Sequence, residues 1–166
     1  VERDDLRAIQ APLKERYERS PDSAMVTLEA DGTLGEGVSC SLQTGRAIAE
    51  AGLHPAAGGD GTQLCSGDML LEALAACAGV TLRAVATSLG IDVEGGRVHA
   101  EGDLDFRGTL AVDREASVGF QAIRLSFELE TDADQEQLDT LLKLTERYCV
   151  VFQTLATAPE LSATIA

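Results

Sequence analysis

Cys65-Ser-Gly-Asp-Met-Leu-Leu-Glu-Ala-Leu-Ala-Ala-Cys-Ala-Gly-Val-Thr-Leu-Arg-Ala-Val-Ala-Thr-Ser-Leu89 is the stretch that decides the fold. It reads as one long, almost wholly apolar helix with Cys77 at its middle. Ser66 or Asp68 can cap its start by accepting a bond from an unpaired backbone N–H, and Gly90 supplies the residue that ends helices most easily. No residue from Ala73 to Leu82 is charged, so this helix is expected to be enclosed on all sides rather than along one stripe. That run falls short of the roughly 20 apolar residues a bilayer span requires, which makes a buried central helix the expectation.

The 166 residues around it suit a single domain spanning 1–166, long enough to bury roughly 70% of its unfolded surface. A net charge of -15, from 28 acidic and 13 basic residues, argues against a nucleic-acid or membrane partner, since both depend on a basic surface. Its plainest reading is a solvated acidic exterior. No basic-then-apolar leader is read in the sequence, so a cytoplasmic protein is expected, in which Cys40, Cys65, Cys77 and Cys149 would mostly be kept reduced. These cysteines have no C-x-x-C spacing, and His54 and His99 lie far apart, so no metal site is expected. Gly58-Gly59-Asp60-Gly61 lacks the lysine and spacing of a phosphate-binding loop, and no cofactor is expected.

Taken in order, Leu6, Ile9, Leu13 and Tyr17 repeat at helical spacing and predict an amphipathic helix over 6–19, stopped by Ser20-Pro21-Asp22. Residues 24–30 and 34–47 read as two extended segments joined by a turn at Asp31-Gly32. Residues 50–61, dense in glycine and alanine, read as a loop. Beyond the central helix, 97–107 and 120–130 alternate as two half-exposed antiparallel strands. Asp132 or Asp134 then caps a second helix carrying Leu138, Leu141, Leu142, Thr145 and Tyr148, and Leu161–Ile165 returns as a last strand. Together these predict an α+β fold with helices packed on antiparallel sheets.

Two cysteines sit where secondary structure constrains them. Cys77 shares a helix face with Leu70, Ala73, Leu74, Val80 and Thr81. If the second helix continues through Cys149, that residue shares a face with Leu138, Leu142 and Thr145, and two helices in one core could bring both sulfurs together. Taken singly, each also fits an inert buried cysteine.

Met69-Leu-Leu-Glu-Ala-Leu-Ala-Ala-Cys77, preceded by a glycine-rich loop and followed by Cys149 with Gln153-Thr154-Leu155 behind it, resembles the OsmC/Ohr family of peroxiredoxin-like thiol peroxidases. The resemblance covers most of the chain after the first thirty or so residues. It implies an intertwined homodimer with central helices at the interface, and a role in defence against oxidative stress. It also implies that Cys77 attacks the O–O bond of an organic hydroperoxide, that Cys149 resolves the sulfenic acid as a disulfide, and that a lipoyl-type dithiol reduces it.

A thiol on an apolar helix face is pushed toward its neutral form, so the chemistry asks for a compensating cation. The family implies an arginine over the attacking sulfur, held by a glutamate near the start of the central helix. Arg46 is the leading candidate, with Arg19 and Arg16 behind it; each also reads as a solvated surface residue. The glutamate is expected ten residues before the cysteine, where this chain has Gly67 beside Asp68. Glu72 lies roughly 140° around the helix from Cys77 and faces elsewhere. Val150 stands where the family has a proline after the second cysteine. Cys65 and His54, flanking the glycine-rich loop, form a second candidate pair, since a histidine beside a cysteine makes a reactive thiolate. The alternatives to the peroxidase are a non-catalytic dimer that binds a small apolar ligand, its cysteines serving as packing, and a metal-dependent hydrolase using His54 and acidic residues.

Overall fold

The structure, a computed structural model, describes residues 2–4, 8, 19, 32–34, 39–43, 48–111 and 113–165. In chain order its elements are β1 (Gly32–Leu34), β2 (Ser39–Gln43), β3 (Ile48–Gly52), a 3-10 turn (Pro55–Ala57), β4 (Leu64–Cys65), α1 (Ser66–Leu89), β5 (Gly95–Asp103), α2 (Phe106–Thr109), β6 (Ala122–Glu130), α3 (Gln135–Tyr148) and α4 (Val150–Ala156). This is a mixed α+β chain. Its residues group into two compact units, one holding 11–72 and 100–124, the other 1–10, 73–99 and 125–166.

In the first unit β1, β2 and β3 form an antiparallel meander, with Gly32 opposite Leu42 and Ser39 opposite Gly52, and the two residues of β4 lie parallel to β3. Gly32 therefore begins a strand instead of making the expected turn, and of the segment read as one extended run from 34 to 47, Leu34 ends β1 and residues 39–43 form β2. Residues 50–52 of the expected loop belong to β3, and the rest includes the Pro55–Ala57 turn, which His54 caps. The predicted strand over 24–30 lies outside the described residues, as does most of the predicted helix over 6–19, in which Ala8 and Arg19 are helical.

The second unit is built on α1. The helix ends at Gly90, which takes φ +72°, a conformation that strains any residue with a Cβ. The Gly90 N–H donates to the Thr87 carbonyl and the Ile91 N–H to that of Ala86, so two terminal carbonyls are satisfied and Ile91 is folded back onto the helix. Leu82, Val85, Ala86, Ile91, Val93 and Leu141 make one buried cluster, against which Phe127, Leu129, Ala133 and Leu144 pack. The alternation of Ile123, Leu125, Phe127 and Leu129 turns one face of β6 inward, as the sequence predicts. Paired with it is β5; the Glu94 N–H donates to the Glu130 carbonyl, and at the far end of the ribbon the Gln121 N–H donates to that of Asp103, an antiparallel arrangement. Gly96, at φ +147°, lies so close to the Glu128 carbonyl that a Cβ would collide with it.

Three expectations need correcting. First, α1 is not enclosed on all sides: Leu74, Ala78, Leu82, Val85 and Ala86 are buried, while Ala73, Ala76, Val80 and Arg83 leave an open face on which Val80 is 73% exposed. Steps of three and four residues put those exposed positions on one stripe. With 24 residues and a mean hydropathy of 1.6 over its most apolar 18-residue window, α1 is also long and apolar enough to cross a membrane by length and composition, contrary to the sequence reading; here one side of it is committed to the chain's own core. Second, the helix after Asp134 does not continue through Cys149, which takes φ −73° and ψ 109° and separates α3 from α4. Third, Leu161–Ile165 is not a strand, and Leu161 and Ile165 are fully exposed or nearly so.

Candidate active site

The second unit brings Cys77 and Cys149 together. Cys77 sits mid-way along α1, half-buried, with Leu74 and Ala78 beneath it in the core. Cys149 is 0% exposed and both closes α3 and opens α4. Its position is held from both sides. Asp134 starts α3 with a reciprocal cap, accepting from the Gln137 N–H at 2.9 Å while the Gln137 side chain accepts from the Asp134 N–H at 3.0 Å. At the other end the Cys149 N–H donates to the Thr145 carbonyl, and the Phe152 N–H reaches the Cys149 sulfur at 3.5 Å. A thiol thus occupies the capping position that serine, threonine, aspartate or asparagine usually fills.

This joint determines the electrostatics. Burial pushes the Cys77 thiol toward neutrality, but the polar groups of Val151, Cys149, Val150 and Thr81 favour its anion and hold its pKa below the ordinary thiol value. Cys149 moves the opposite way: burial raises its pKa, the Phe152 N–H partly offsets this, and the hydrogen bond to Cys77 and the charge there raise it further. The two environments therefore favour the anionic form at Cys77 and the neutral form at Cys149. Thr81 follows Cys77 by four residues, one helical turn, which is what lets its hydroxyl reach the sulfur.

Among the described residues, the anionic form of Cys77 is favoured by hydrogen bonds and not by the cation the sequence reading demanded. Arg46 and Arg16 lie outside the described residues, and Arg19 is exposed on a helical position. Val150, in the place of the family's proline, keeps the N–H that a proline lacks and turns it toward Cys77. The missed contributors are thus Thr81, Val150 and Val151; spacing alone pointed to Thr81, whereas the two amides depend on the break at Cys149. Beside the joint, Arg147, Tyr148, Val150, Gln153, Thr154, Thr157 and Pro159 line an open cleft of about 600 Å³ that reaches Cys149.

The other candidate pair occupies the first unit. His54 and Cys65 both line a cavity of about 360 Å³ with Asp68, Leu71, Phe106 and Phe120. His54 Nδ1 accepts from the Ala56 N–H at 3.0 Å and its ring stacks on Phe106, centroids 5.0 Å apart, so this histidine is engaged in shaping the loop. Gly67 belongs to the same cavity wall; a Cβ there would meet Leu104, Phe120 and the Cys65 sulfur at 3.5–3.6 Å. Ser66 and Asp68, expected as caps, both fall inside the first turn of α1, where the Asp68 carboxylate complements the positive helix end. Glu72 is exposed. No group of three histidine, cysteine or acidic side chains gathers as a metal site among the described residues.

Residues 59–164 match the family profile described as OsmC-like protein. The fold superposes on solved structures at low identity. An OsmC-like protein from Mycoplasma pneumoniae matches with a TM-score of 0.68 at 16% identity, covering 80% of this chain and 89% of its own. The Legionella pneumophila organic hydroperoxide resistance protein OsmC matches at 0.63 and 18%, covering 81% and 92%. The organic hydroperoxide resistance protein OhrB of Bacillus subtilis matches at 0.54 and 18%, covering 81% and 94%. No curated protein gives a significant sequence match.

Proposed function

The chain belongs to the OsmC-like family, and from that premise we propose that it is a cysteine-based peroxidase that reduces organic hydroperoxides in defence against oxidative stress. What supports the reading is the unequal pair of sulfurs, a half-exposed Cys77 whose anionic form is favoured and a buried Cys149 whose neutral form is favoured. Only the thiolate form attacks an O–O bond at a useful rate. Attack by Cys77 releases an alcohol and leaves a sulfenic acid, which Cys149 condenses with to give an intramolecular disulfide. A cellular dithiol, of lipoyl type by analogy with the family, then restores both thiols.

An alkyl or acyl hydroperoxide suits this sulfur better than hydrogen peroxide, because Ala73 and Val80 beside it on α1 bind an apolar tail. The same open stripe, Ala73, Ala76 and Val80, is the face through which the protein is proposed to form a homodimer, since small residues let two helices approach closely. The negative exterior and reducing chemistry fit a cytoplasmic protein. Arg46 is retained as a proposed activating residue alongside the hydrogen bonds described. The test is consumption of cumene hydroperoxide with dithiol present: the wild type turns over and Cys77→Ser does not. Equal rates for the two proteins would remove the enzyme reading and favour the ligand-binding dimer.

A further inference from the structure

We infer that the cavity beside the first turn of α1 is a binding site for a small organic cation, an ammonium group carried on an apolar or aromatic body. It lies wholly within the first unit, whereas Cys77 and Cys149 belong to the second, and it does not depend on the peroxidase reading. Its volume of about 360 Å³ falls in the range of small-molecule sites. At about 30 Å³ for each water, that is room for a ligand of roughly ten non-hydrogen atoms. The walls are aromatic and apolar. His54, which caps the Pro55–Ala57 turn, stacks on Phe106 at the start of α2 with centroids 5.0 Å apart. Phe120 lies so close to the backbone of Gly102 in β5 that a Cβ there would come within 2.6 Å of its ring. Leu71 and Leu104 complete this lining. Gly67 keeps the space open: its Cβ would already be in ordinary contact with Leu104, Phe120 and the Cys65 sulfur, so a longer side chain would take up the room.

Charge decides what such a cavity takes. His54 Nδ1 accepts from the Ala56 N–H, so the ring holds its proton on Nε2 and adds no positive charge. Asp103 accepts from both terminal nitrogens of Arg124, at 2.5 and 2.8 Å, and Arg124 also donates to Glu101 at 2.7 Å, so the charge of this arginine is already shared between two carboxylates. Asp68 differs. Among the described residues its carboxylate has no ion-pair or hydrogen-bond partner. The positive end of α1 is worth about half a charge against the full negative charge of Asp68, and the balance favours a cation. Asp68 is exposed, which puts it at the mouth, while Leu71, Leu104, Phe106 and Phe120 are half-buried. An ammonium group at Asp68 with its apolar body against the phenylalanines satisfies both, and the ring faces themselves attract a cation. An anion would meet Asp68 and Asp103, and an uncharged ligand would leave Asp68 without a partner.

The test uses three probes of one size and different charge: 2-phenylethylamine, protonated at neutral pH as the lysine amine is, 2-phenylethanol and 3-phenylpropionate. Affinities are measured by calorimetry on wild type and Asp68→Asn, and occupancy is located by the rate at which iodoacetamide alkylates Cys65, whose sulfur lines the cavity. The amine should bind wild type about tenfold more tightly than the alcohol, the combined effect of an exposed ion pair and a cation–π contact, and the carboxylate more weakly than either. Bound amine should slow alkylation of Cys65 relative to Cys77. Asp68→Asn should bring the amine to within about twofold of the alcohol and leave the alcohol unchanged. Equal affinities for all three probes, tightest binding by the carboxylate, or no binding by any of them would overturn the proposal. So would a preference for the amine that survives Asp68→Asn, or binding that leaves Cys65 unprotected.

Discussion

Cys77, mid-way along α1, and Cys149, at the joint between α3 and α4, perturb each other in opposite directions, the pKa of Cys77 being lowered and that of Cys149 raised, so that two chemically identical side chains become unequal. Cys77 is half-exposed with its anionic form favoured; Cys149 is buried with its neutral form favoured. On the proposed function, attack falls to Cys77 and resolution to Cys149.

Alkylation should read this inequality directly. With iodoacetamide at neutral pH, Cys77 reacts first, with a pH midpoint below that of an ordinary thiol, and Cys149 reacts only when the protein is unfolded. The linkage follows the same sign. A Cys77 pKa lower in the folded chain contributes stability above the unfolded thiol's pKa, and that contribution is lost as pH falls through the folded value. Cys149, raised on folding, contributes in the opposite sense.

Thr81 is one of the polar groups that lower the pKa of Cys77. Thr81→Val keeps the shape and deletes the donor, so the pH profile of Cys77 alkylation should move upward, while Thr81→Ser should restore most of it. An unmoved profile in the valine variant would show that the amides alone sustain the thiolate.

The ends of the two main helices should behave as local stability elements, remote from the thiol chemistry. Gly90→Ala places a Cβ on a residue at φ +72° and should cost about 1 kcal/mol in urea unfolding. Asp134→Ala removes the cap of α3 and should cost about 1 kcal/mol as well. Neither should shift the Cys77 alkylation profile by more than the error of the measurement.

Leu141 is 1% exposed and is the α3 residue in the core cluster beside Leu82 and Val85. Leu141→Ala should destabilise by about 2–5 kcal/mol, measured as a shift in the denaturation midpoint. Because Thr145 donates its hydroxyl to the Leu141 carbonyl at 2.7 Å, the backbone of this turn should survive the change and retain helical circular dichroism.

What could be read from sequence was whatever periodicity and punctuation record. The bounds of α1, its stop at Gly90, the alternation along β6 and the cap at Asp134 follow from spacing and from residue types with one strong preference. β4 was not legible, because two residues carry no period. The break at Cys149 was hidden, since neither glycine nor proline marks it and a cysteine is not an expected cap; the β-branched pair Val150-Val151 was the available signal. The open side of α1 escaped notice for another reason: an uncharged face looks the same in sequence whether it meets its own core or another chain.

The most direct measurement is mass spectrometry of the reduced protein after one equivalent of cumene hydroperoxide, with free thiols blocked before digestion. Trypsin leaves Cys65 and Cys77 together on residues 47–83, so a second cleavage after Glu72 is needed to separate them from each other and from residues 148–166, which carry Cys149. The account predicts a single linked species joining the Cys77 fragment to the Cys149 fragment, with Cys65 blocked as a free thiol. Oxidation that stops at Cys77 without that link, or a link that uses Cys65, would contradict it.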